Sequence, residues 1–185
     1  EMCIRDSSYV DVEVEVRRMG GGFGGKESQS NLAACIAALA AQKTGCPARL
    51  VYDRDDDMRL TGKRHDAKLI YNAGFDSDGR IKSLILDQYF RCGMSYDLSK
   101  AIAIRALTHA DNAYYIPKSR LRAFLCKTHT VSNTAFRGFG GPQGMIGIER
   151  VMDQIATRLG RDPVEIRKVN YYPDYAAGNF KRAPY

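Results

Sequence analysis

Two short glycine–phenylalanine segments constrain this chain more than any other feature. They read GGGFGGKE at Gly20–Glu27 and AFRGFGGPQ at Ala135–Gln143. Each follows a predicted strand and precedes a predicted helix. Glycine permits positive φ and lets a ligand approach the main chain closely. A helix N-terminus also presents unpaired N–H groups to an anion or an oxo group. The two segments therefore predict backbone loops that converge on one ligand from different parts of the chain.

The first third of the chain predicts a strand, a turn, a helix and a second strand. Val10–Arg17 alternates apolar and charged residues, which is typical of a half-exposed strand. Helical spacing predicts a helix over Ser28–Lys43, capped by Ser28 or Ser30, with its apolar face buried. Ala48–Tyr52 is a short apolar strand candidate. Together these elements indicate a βαβ-like unit.

The rest of the chain predicts an α+β fold, a mixed sheet with helices packed on it. Strands at Lys68–Phe75 and Arg80–Phe90 are joined by DSDG, a turn that suits a hairpin. Proline at helix starts and glycine at helix ends mark the later boundaries. The further elements are a helix at Leu98–Leu107, a strand at Arg120–His129, and helices at Pro142–Leu159 and Pro163–Lys168.

Composition argues against several classes of protein. The net charge of +7 is dispersed among 21 acidic residues and no nucleic-acid-binding motif is present, so no nucleic-acid partner is expected. No apolar run approaches the ~20 residues that cross a bilayer, so no membrane association is expected. The five cysteines are scattered and odd in number. They predict reduced, mostly buried thiols in a cytoplasmic protein, with no disulfide, zinc or iron–sulfur site in this chain.

The residues alone leave the role of the glycine segments open. GGGFGGKE is not a phosphate-binding Walker A loop, because Lys26 is followed by Glu27. A tight turn without a ligand is one alternative, and a core position for the phenylalanine rings is another. In the polar turn TGKRH, Arg64 and His65 are either functional or ordinary surface residues.

Further segments carry a family resemblance. They are RDDDMRLTGKRHDA, ALTHADNAYYIP, LCKTHTVSNTAFRGFGGPQG and DPVEIRKVNYY, in this order with the glycine segments. The chain thereby resembles the molybdenum-cofactor-binding domain of the xanthine dehydrogenase/aldehyde oxidase family over residues 9–172. Residues 1–8 fit no pattern and are expected to be a non-native or disordered lead. Residues 173–185 are expected to be an irregular tail at a truncation point.

The resemblance implies a cofactor and the residues that contact it. The family hydroxylates carbon with water-derived oxygen at a molybdenum–molybdopterin cofactor, and electrons leave through [2Fe–2S] centres to FAD. By the resemblance, the backbone at Gly22, Phe23 and Gly24 lies against the molybdenum ligands. The main chain of Arg137 approaches the molybdopterin. No side chain of this chain is expected to be a metal ligand; the backbone of Phe23 and Arg137 lies near the metal.

The resemblance also implies a substrate. Glu27 and Arg64 match the polar pair with which xanthine-type members bind a purine, and Phe139 matches the phenylalanine that packs edge-on against the ring. Arg64 would stabilise the negative charge that develops on the ring, which makes it the catalytic residue of this chain. The implied activity is oxidation of hypoxanthine or xanthine. The alternatives are an aldehyde or other N-heterocycle hydroxylase of the same superfamily, or a non-enzymatic nucleotide- or anion-binding domain.

Two motifs of the family have no counterpart in this sequence: the general-base glutamate and a glutamine-bearing cofactor segment. The chain is therefore expected to be an internal fragment that is inactive alone. It would act with an iron–sulfur/FAD domain or subunit, in an oligomeric cytoplasmic enzyme.

Overall fold

The computed structural model describes residues 12–172, which form two compact units. The first unit comprises the chain up to His65, with Cys92–Ser99 and Lys127–Arg137. The second comprises Asp66–Arg91, Lys100–Cys126 and the chain from Gly138. The helices of the described chain are α1 (Ser30–Thr44), α2 (Arg54–Leu60), α3 (Ser99–Thr108), α4 (Gly141–Leu159) and α5 (Pro163–Asn170), and the strands are β1 (Ala67–Phe75), β2 (Ile81–Gly93) and β3 (Ser119–Lys127).

Helix α1 confirms the predicted first helix but not its cap or its burial. Its N-cap residue is Gln29, which makes no side-chain cap hydrogen bond, so capping by Ser28 or Ser30 was wrong. None of its residues is buried, and the side chain of Leu32 is 51% exposed. The apolar spacing defined a helix face correctly. The spacing does not specify which segment covers that face, and no described segment of the first unit buries it.

The two strands predicted in the first third were wrong. Residues 12–17 and 48–52 have no regular structure, and residues 10–11 lie outside the described range. Alternation specifies which side chains share a face, but a strand also needs a backbone partner, which these segments lack among the described residues.

Helix α2 was not predicted. Asp53 caps it by accepting a hydrogen bond from the Asp56 amide at 2.8 Å, and its first turn is acidic. Both features stabilise a helix N-terminus. The cluster of aspartates was thus a helix-start signal rather than a surface charge cluster alone.

The sheet of the second unit has the order β1-β2-β3, so β2 is central. Strands β1 and β2 are antiparallel, with Ala67 opposite Phe90, which confirms the predicted hairpin. The Asp76 carboxylate accepts hydrogen bonds from the Asp78 and Arg80 amides and so shapes the turn. Gly79 completes it with a φ of 82°.

Strand β3 runs parallel to β2. Asp87 pairs with Arg122, 35 residues later in the chain, and Tyr89 stacks on Phe124 at the same offset. A constant offset is the mark of parallel strands, which need a long crossover connection. The segment containing α3 supplies it. The sheet is therefore mixed, and the α+β fold class is confirmed.

The core of the second unit lies between α4 and the sheet. One face of α4, carrying Ile148, Val151, Met152 and Ile155, is buried together with Leu84 and Leu86 of β2 and other apolar residues of the second unit. A Cβ at Gly147 would lie 3.3 Å from a methyl carbon of Leu69 and 3.4 Å from one of Leu86, so this helix position fits closely on the sheet. Apolar burial of this kind is the main stabilising contribution in a domain of this size.

The four cysteines that the structure describes are free thiols, but they are less buried than predicted. Cys92 is buried, Cys35 and Cys126 are half-buried, and Cys46 is exposed. The prediction that they are mostly buried was therefore wrong for the described ones; Cys3 lies outside the described range. No helix within residues 12–172 is both long and apolar enough to cross a membrane.

Candidate functional site

The first glycine loop has an unusual backbone. Phe23 has a φ of 48°, Gly24 directly after it has a φ of 86°, and Gly21, two residues before it, has a φ of 125°. The Gly25 amide donates to the Gly22 carbonyl at 2.8 Å, which closes a turn around Phe23. A bulky residue in the left-handed region is strained, and such strain clusters at binding sites. The Phe23 side chain is 65% exposed.

The second glycine loop repeats this shape. Phe139 has a φ of 47° between Gly138 and Gly140, both at 97°, and the Gly141 amide donates to the Gly138 carbonyl at 2.9 Å. Phe139 belongs to the second unit and is half-buried. The two loops share the left-handed phenylalanine, the left-handed glycine after it and the closing hydrogen bond, but they differ at the first glycine, since Gly138 has a positive φ and Gly22 does not. The role of Phe139 against the substrate ring stays a prediction.

Glycines after Phe139 also have a packing role. A Cβ at Gly140 would overlap the Ile102 carbonyl oxygen, and one at Gly144 would overlap that of Ala106. The start of α4 therefore approaches the backbone of α3 too closely for any side chain. This part of the second motif is explained by helix packing within the second unit.

The first glycine loop lies directly against the beginning of the second motif. A Cβ at Gly24 would lie 3.1 Å from the main-chain carbonyl carbon of Ala135. One at Gly25 would lie 2.6 Å from Cζ of Phe136. The two motifs are therefore brought together at these residues of the first unit, although they are far apart in sequence.

Arg64 reaches the same region. Its Nη2 donates a hydrogen bond to the main-chain carbonyl of Arg137 at 2.7 Å. The two residues preceding it are also tied: the Gly62 amide donates to Oε1 of Gln29 at 2.7 Å, and the Lys63 carbonyl accepts from the Thr134 amide at 3.0 Å. The TGKRH turn is thus joined to both glycine-loop segments.

Glu27 and Arg64, the predicted substrate pair, both lie in the first unit and are exposed. Glu27 makes no hydrogen bond or ion pair with another described residue. Arg64 uses one of its five N–H groups on Arg137, and the rest make no hydrogen bond within residues 12–172. Both side chains therefore keep hydrogen-bonding capacity for a ligand.

His65 does not lie at the surface. It is buried, and its Nε2 lies 2.6 Å from Oγ of Ser99 at the start of α3. A buried imidazole with a hydroxyl partner anchors the TGKRH turn, which leaves Arg64 as the exposed cation of this turn.

The residues around the loops fit an oxygen-rich ligand with hydrogen-bonding groups. A Cβ at Gly20 would meet nothing within 4 Å, so the main chain there is open to a close approach. Ser28 Oγ and Thr134 Oγ1 are buried and have no hydrogen-bond partner among the described residues. Each lies beside one of the two glycine motifs in the sequence. Within residues 12–172, no group of three or more His, Cys, Asp or Glu is placed to hold a metal ion.

Sequence reasoning missed the residues that support this site. Gln29, Asn133 and Thr134 contact the TGKRH turn across separations such as 33 residues for Gln29 and Gly62 and 70 for Asn133 and Lys63. No local pattern signals such contacts.

The model of the molybdopterin cofactor-binding domain matches residues 7–171. The chain therefore belongs to the xanthine dehydrogenase/aldehyde oxidase family, as a molybdopterin cofactor-binding domain. Its cofactor is molybdenum–molybdopterin, which the open backbone of the first loop fits, as do the Ser28 and Thr134 hydroxyls beside the loops, which have no partner among the described residues.

Curated relatives include enzymes with different named substrates. The xanthine dehydrogenase/oxidase of Gallus gallus is 49% identical over 161 residues, which cover 87% of this chain and 12% of that protein. The nicotinate hydroxylase of Emericella nidulans is 47% identical with the same coverage. The chain thus spans about an eighth of the length of these relatives.

Two solved structures share the fold of this chain. The aldehyde oxidoreductase of Desulfovibrio gigas is 33% identical with a TM-score of 0.67, covering 84% of this chain and 17% of that one. Quinoline 2-oxidoreductase from Pseudomonas putida 86 has a TM-score of 0.72 at 24% identity, over 84% of this chain and 20% of that one, and shows the fold alone.

Proposed function

We propose that this chain is the part of a molybdenum hydroxylase that holds a purine, hypoxanthine or xanthine, beside the molybdenum cofactor. The observation that carries the proposal is the Arg64 guanidinium, held on the Arg137 carbonyl next to the first glycine loop and exposed. A fixed cation at a cofactor-contacting loop suits a substrate that gains negative charge as it reacts.

Cofactor contacts in the proposal are main-chain contacts. Gly22, Phe23, Gly24 and Arg137 would hold the cofactor through their backbone, which explains why the loops carry glycine and a strained phenylalanine. When bound, the molybdenum–molybdopterin supplies the centre that oxidises the substrate carbon with water-derived oxygen.

Substrate contacts in the proposal are side-chain contacts. Attack on a purine carbon pushes negative charge onto the ring and its carbonyl oxygen, and the N–H groups of Arg64 stabilise that charge. Glu27 accepts a hydrogen bond from a ring nitrogen or donates one to it. Phe139 keeps the role that the resemblance implies, packing edge-on against the ring. The general base, the [2Fe–2S] centres and FAD would come from other parts of the enzyme, which we propose to be an oligomer of the cytoplasm.

A second candidate is hydroxylation of another N-heterocycle such as nicotinate. The similarity to the Emericella nidulans nicotinate hydroxylase, 47% against 49% for the Gallus gallus protein, supports it. Nicotinate carries its own carboxylate, so Arg64 would bind a charge already present rather than one that develops. In that case loss of Arg64 would raise KM more than it lowers kcat.

The test is steady-state kinetics of the complete enzyme with Arg64→Met. Loss of a charge-stabilising donor costs ~3 kcal/mol of barrier, so kcat/KM on xanthine should fall on the order of a hundredfold, with turnover of an aldehyde nearly unchanged. Arg59→Met is the matched control, because Arg59 is an exposed arginine of α2 in the same unit. An equal loss on xanthine and aldehyde would rule out the purine assignment.

A further inference from the structure

We infer that Gln29 is a positioning residue for Arg64 and so a determinant of substrate specificity. The inference rests on the proposed role of Arg64 in binding a purine. Gln29 lies two residues after Glu27, and its side chain contacts the turn that carries Arg64. One amide thereby fixes the two members of the substrate pair relative to each other.

The position of Gln29 in the helix makes its contact informative. It is the N-cap residue of α1, where a short polar side chain normally accepts a hydrogen bond from the helix's own first turn. Gln29 makes no such bond. Its Oε1 instead accepts the Gly62 amide at 2.7 Å, 33 residues away in the chain. The side chain therefore supports the TGKRH turn rather than the helix.

Gly62 is closely packed at this contact. It is buried, and a Cβ at this position would overlap the Ser132 carbonyl oxygen and lie 3.1 Å from Nε2 of Gln29. Gln29 and the backbone before the second motif therefore both pack closely against the Cα of Gly62. Its buried amide has Gln29 as its acceptor, and losing that acceptor would leave a buried donor unpaired.

The contact is transmitted to Arg64 through the next residue. The Lys63 amide donates to Oδ1 of Asn133 at 3.3 Å, and the Lys63 carbonyl accepts from the Thr134 amide at 3.0 Å. Arg64 then donates to the Arg137 carbonyl. Three consecutive residues are thus tied, the first of them to Gln29. Loss of the hydrogen bond to Gln29 would free Gly62, the first of these three residues. The Arg64 guanidinium would then lose its fixed orientation relative to Glu27.

Two substitutions separate the hydrogen bond from the bulk of the side chain. Gln29→Met keeps the length but removes the acceptor, whereas Gln29→Glu keeps an acceptor oxygen. Gln42→Met is the matched control, because Gln42 is an exposed glutamine of the same helix. The complete enzyme is assayed for kcat and KM on xanthine and on an aldehyde, and hydrogen exchange at the Gly62 amide is followed by mass spectrometry.

We expect Gln29→Met to speed exchange at Gly62 by about tenfold or more and to lower kcat/KM on xanthine by about tenfold, with aldehyde turnover nearly unchanged. Gln29→Glu should keep both the exchange rate at Gly62 and kcat/KM on xanthine near the wild-type values. Gln42→Met should change neither quantity. If Gln29 acts through Arg64, Gln29→Met should add no further loss in an Arg64→Met background.

Each contrary result has a distinct meaning. Unchanged exchange at Gly62 in Gln29→Met would overturn the inference at its structural step. Faster exchange with full xanthine activity, in an enzyme that does lose activity on Arg64→Met, would overturn the positioning role alone. Equal losses of Arg64→Met on xanthine and aldehyde would overturn the proposed function, and with it the specificity role. Should Gln29→Met not fold, wild-type behaviour of the shorter Gln29→Asn in both assays would overturn the inference.

Discussion

Arg64 donates from Nη2 to the main-chain carbonyl of Arg137 at 2.7 Å, across 73 residues of sequence. This bond restricts the orientation of the guanidinium, and the residue is exposed. The acceptor is a backbone atom, so its position is set by the loop and not by a mobile side chain. The substrate contacts that we propose for Arg64 therefore depend on the conformation of the loop that carries Arg137.

Replacing Arg64 by lysine tests this geometry separately from charge. An ammonium group has three N–H donors but lacks the rigid planar fork of a guanidinium, so it holds the Arg137 carbonyl and a planar substrate in a less defined geometry. We expect Arg64→Lys to lose on the order of tenfold in kcat/KM on xanthine in the complete enzyme, between wild type and Arg64→Met. Full activity of Arg64→Lys would mean that charge alone suffices.

Contact between the two glycine motifs gives a second prediction. In Gly25→Ala the new methyl group would press on the Phe136 ring, because a Cβ there lies 2.6 Å from Cζ. We expect a lower molybdenum content of the purified enzyme and a lower Tm. Gly20→Ala is the control, since a Cβ at Gly20 meets nothing within 4 Å. Partial recovery in the double variant with Phe136→Leu would confirm the cause, and equal effects of both alanines would contradict it.

For a glycine in helix α4, the structure predicts the opposite effect of an alanine substitution from the one that helix propensity predicts. Alanine is the better helix former by ~1 kcal/mol, so Gly144→Ala should be stabilising if the helix stood alone. A Cβ at Gly144 would overlap the Ala106 carbonyl oxygen. We therefore expect a net loss of ~1–3 kcal/mol in the free energy of unfolding, measured by denaturant titration. Gly141→Ala, whose Cβ would lie 3.9 Å from the His109 ring, should be close to neutral.

A hydrogen-bond cluster in the second unit predicts a dependence of stability on pH. Glu149 accepts from the Tyr114 hydroxyl at 2.6 Å, from Asn112 at 2.9 Å and from Arg167 at 2.9 Å. Burial alone would raise the pKa of Glu149, but these hydrogen bonds outweigh it and lower the pKa. Burial and the hydrogen bond to Glu149 raise the pKa of Tyr114, so its hydroxyl stays a donor.

The sign follows from the lowered pKa of Glu149. A carboxylate with a folded-state pKa below its unfolded value of 4.5 stabilises the fold above that pH. The contribution is lost as the pH falls through the folded-state pKa. We expect Tm to fall more steeply below pH 4.5 in the wild type than in Glu149→Gln. Parallel Tm profiles of the two proteins would show that Glu149 does not contribute this dependence.

The second unit was largely predictable from sequence because its signals are local. Turn residues such as Asp76 and Gly79 fix the hairpin, and Pro142 with Gly160 mark the ends of α4. The first unit was not, since its apolar alternation over 12–17 belongs to irregular chain and the cap of α1 is Gln29. Period-two alternation reports the chemistry of side chains, whereas a strand exists only where another backbone pairs with it.

The candidate site also has one part that the sequence predicts and one part that it does not. The glycine loops could be identified because glycine, phenylalanine and glycine in sequence encode their own backbone shape, as the matching φ values of Phe23 and Phe139 show. The hydrogen bonds of Arg64 to Arg137 and of Gly62 to Gln29 could not be predicted, because no residue pattern in one segment identifies its partner in the other. Such contacts depend on how distant segments pack, which a single sequence does not reveal.

The close approach of Gly24 and Gly25 to Ala135 and Phe136 limits how this domain can be redesigned. The first loop has no room for a side chain at Gly24 or Gly25, so the backbone beneath the proposed cofactor contacts is fixed in shape. Engineering toward other substrates has to work through residues that project from it, of which Glu27 and Arg64 are the first to vary.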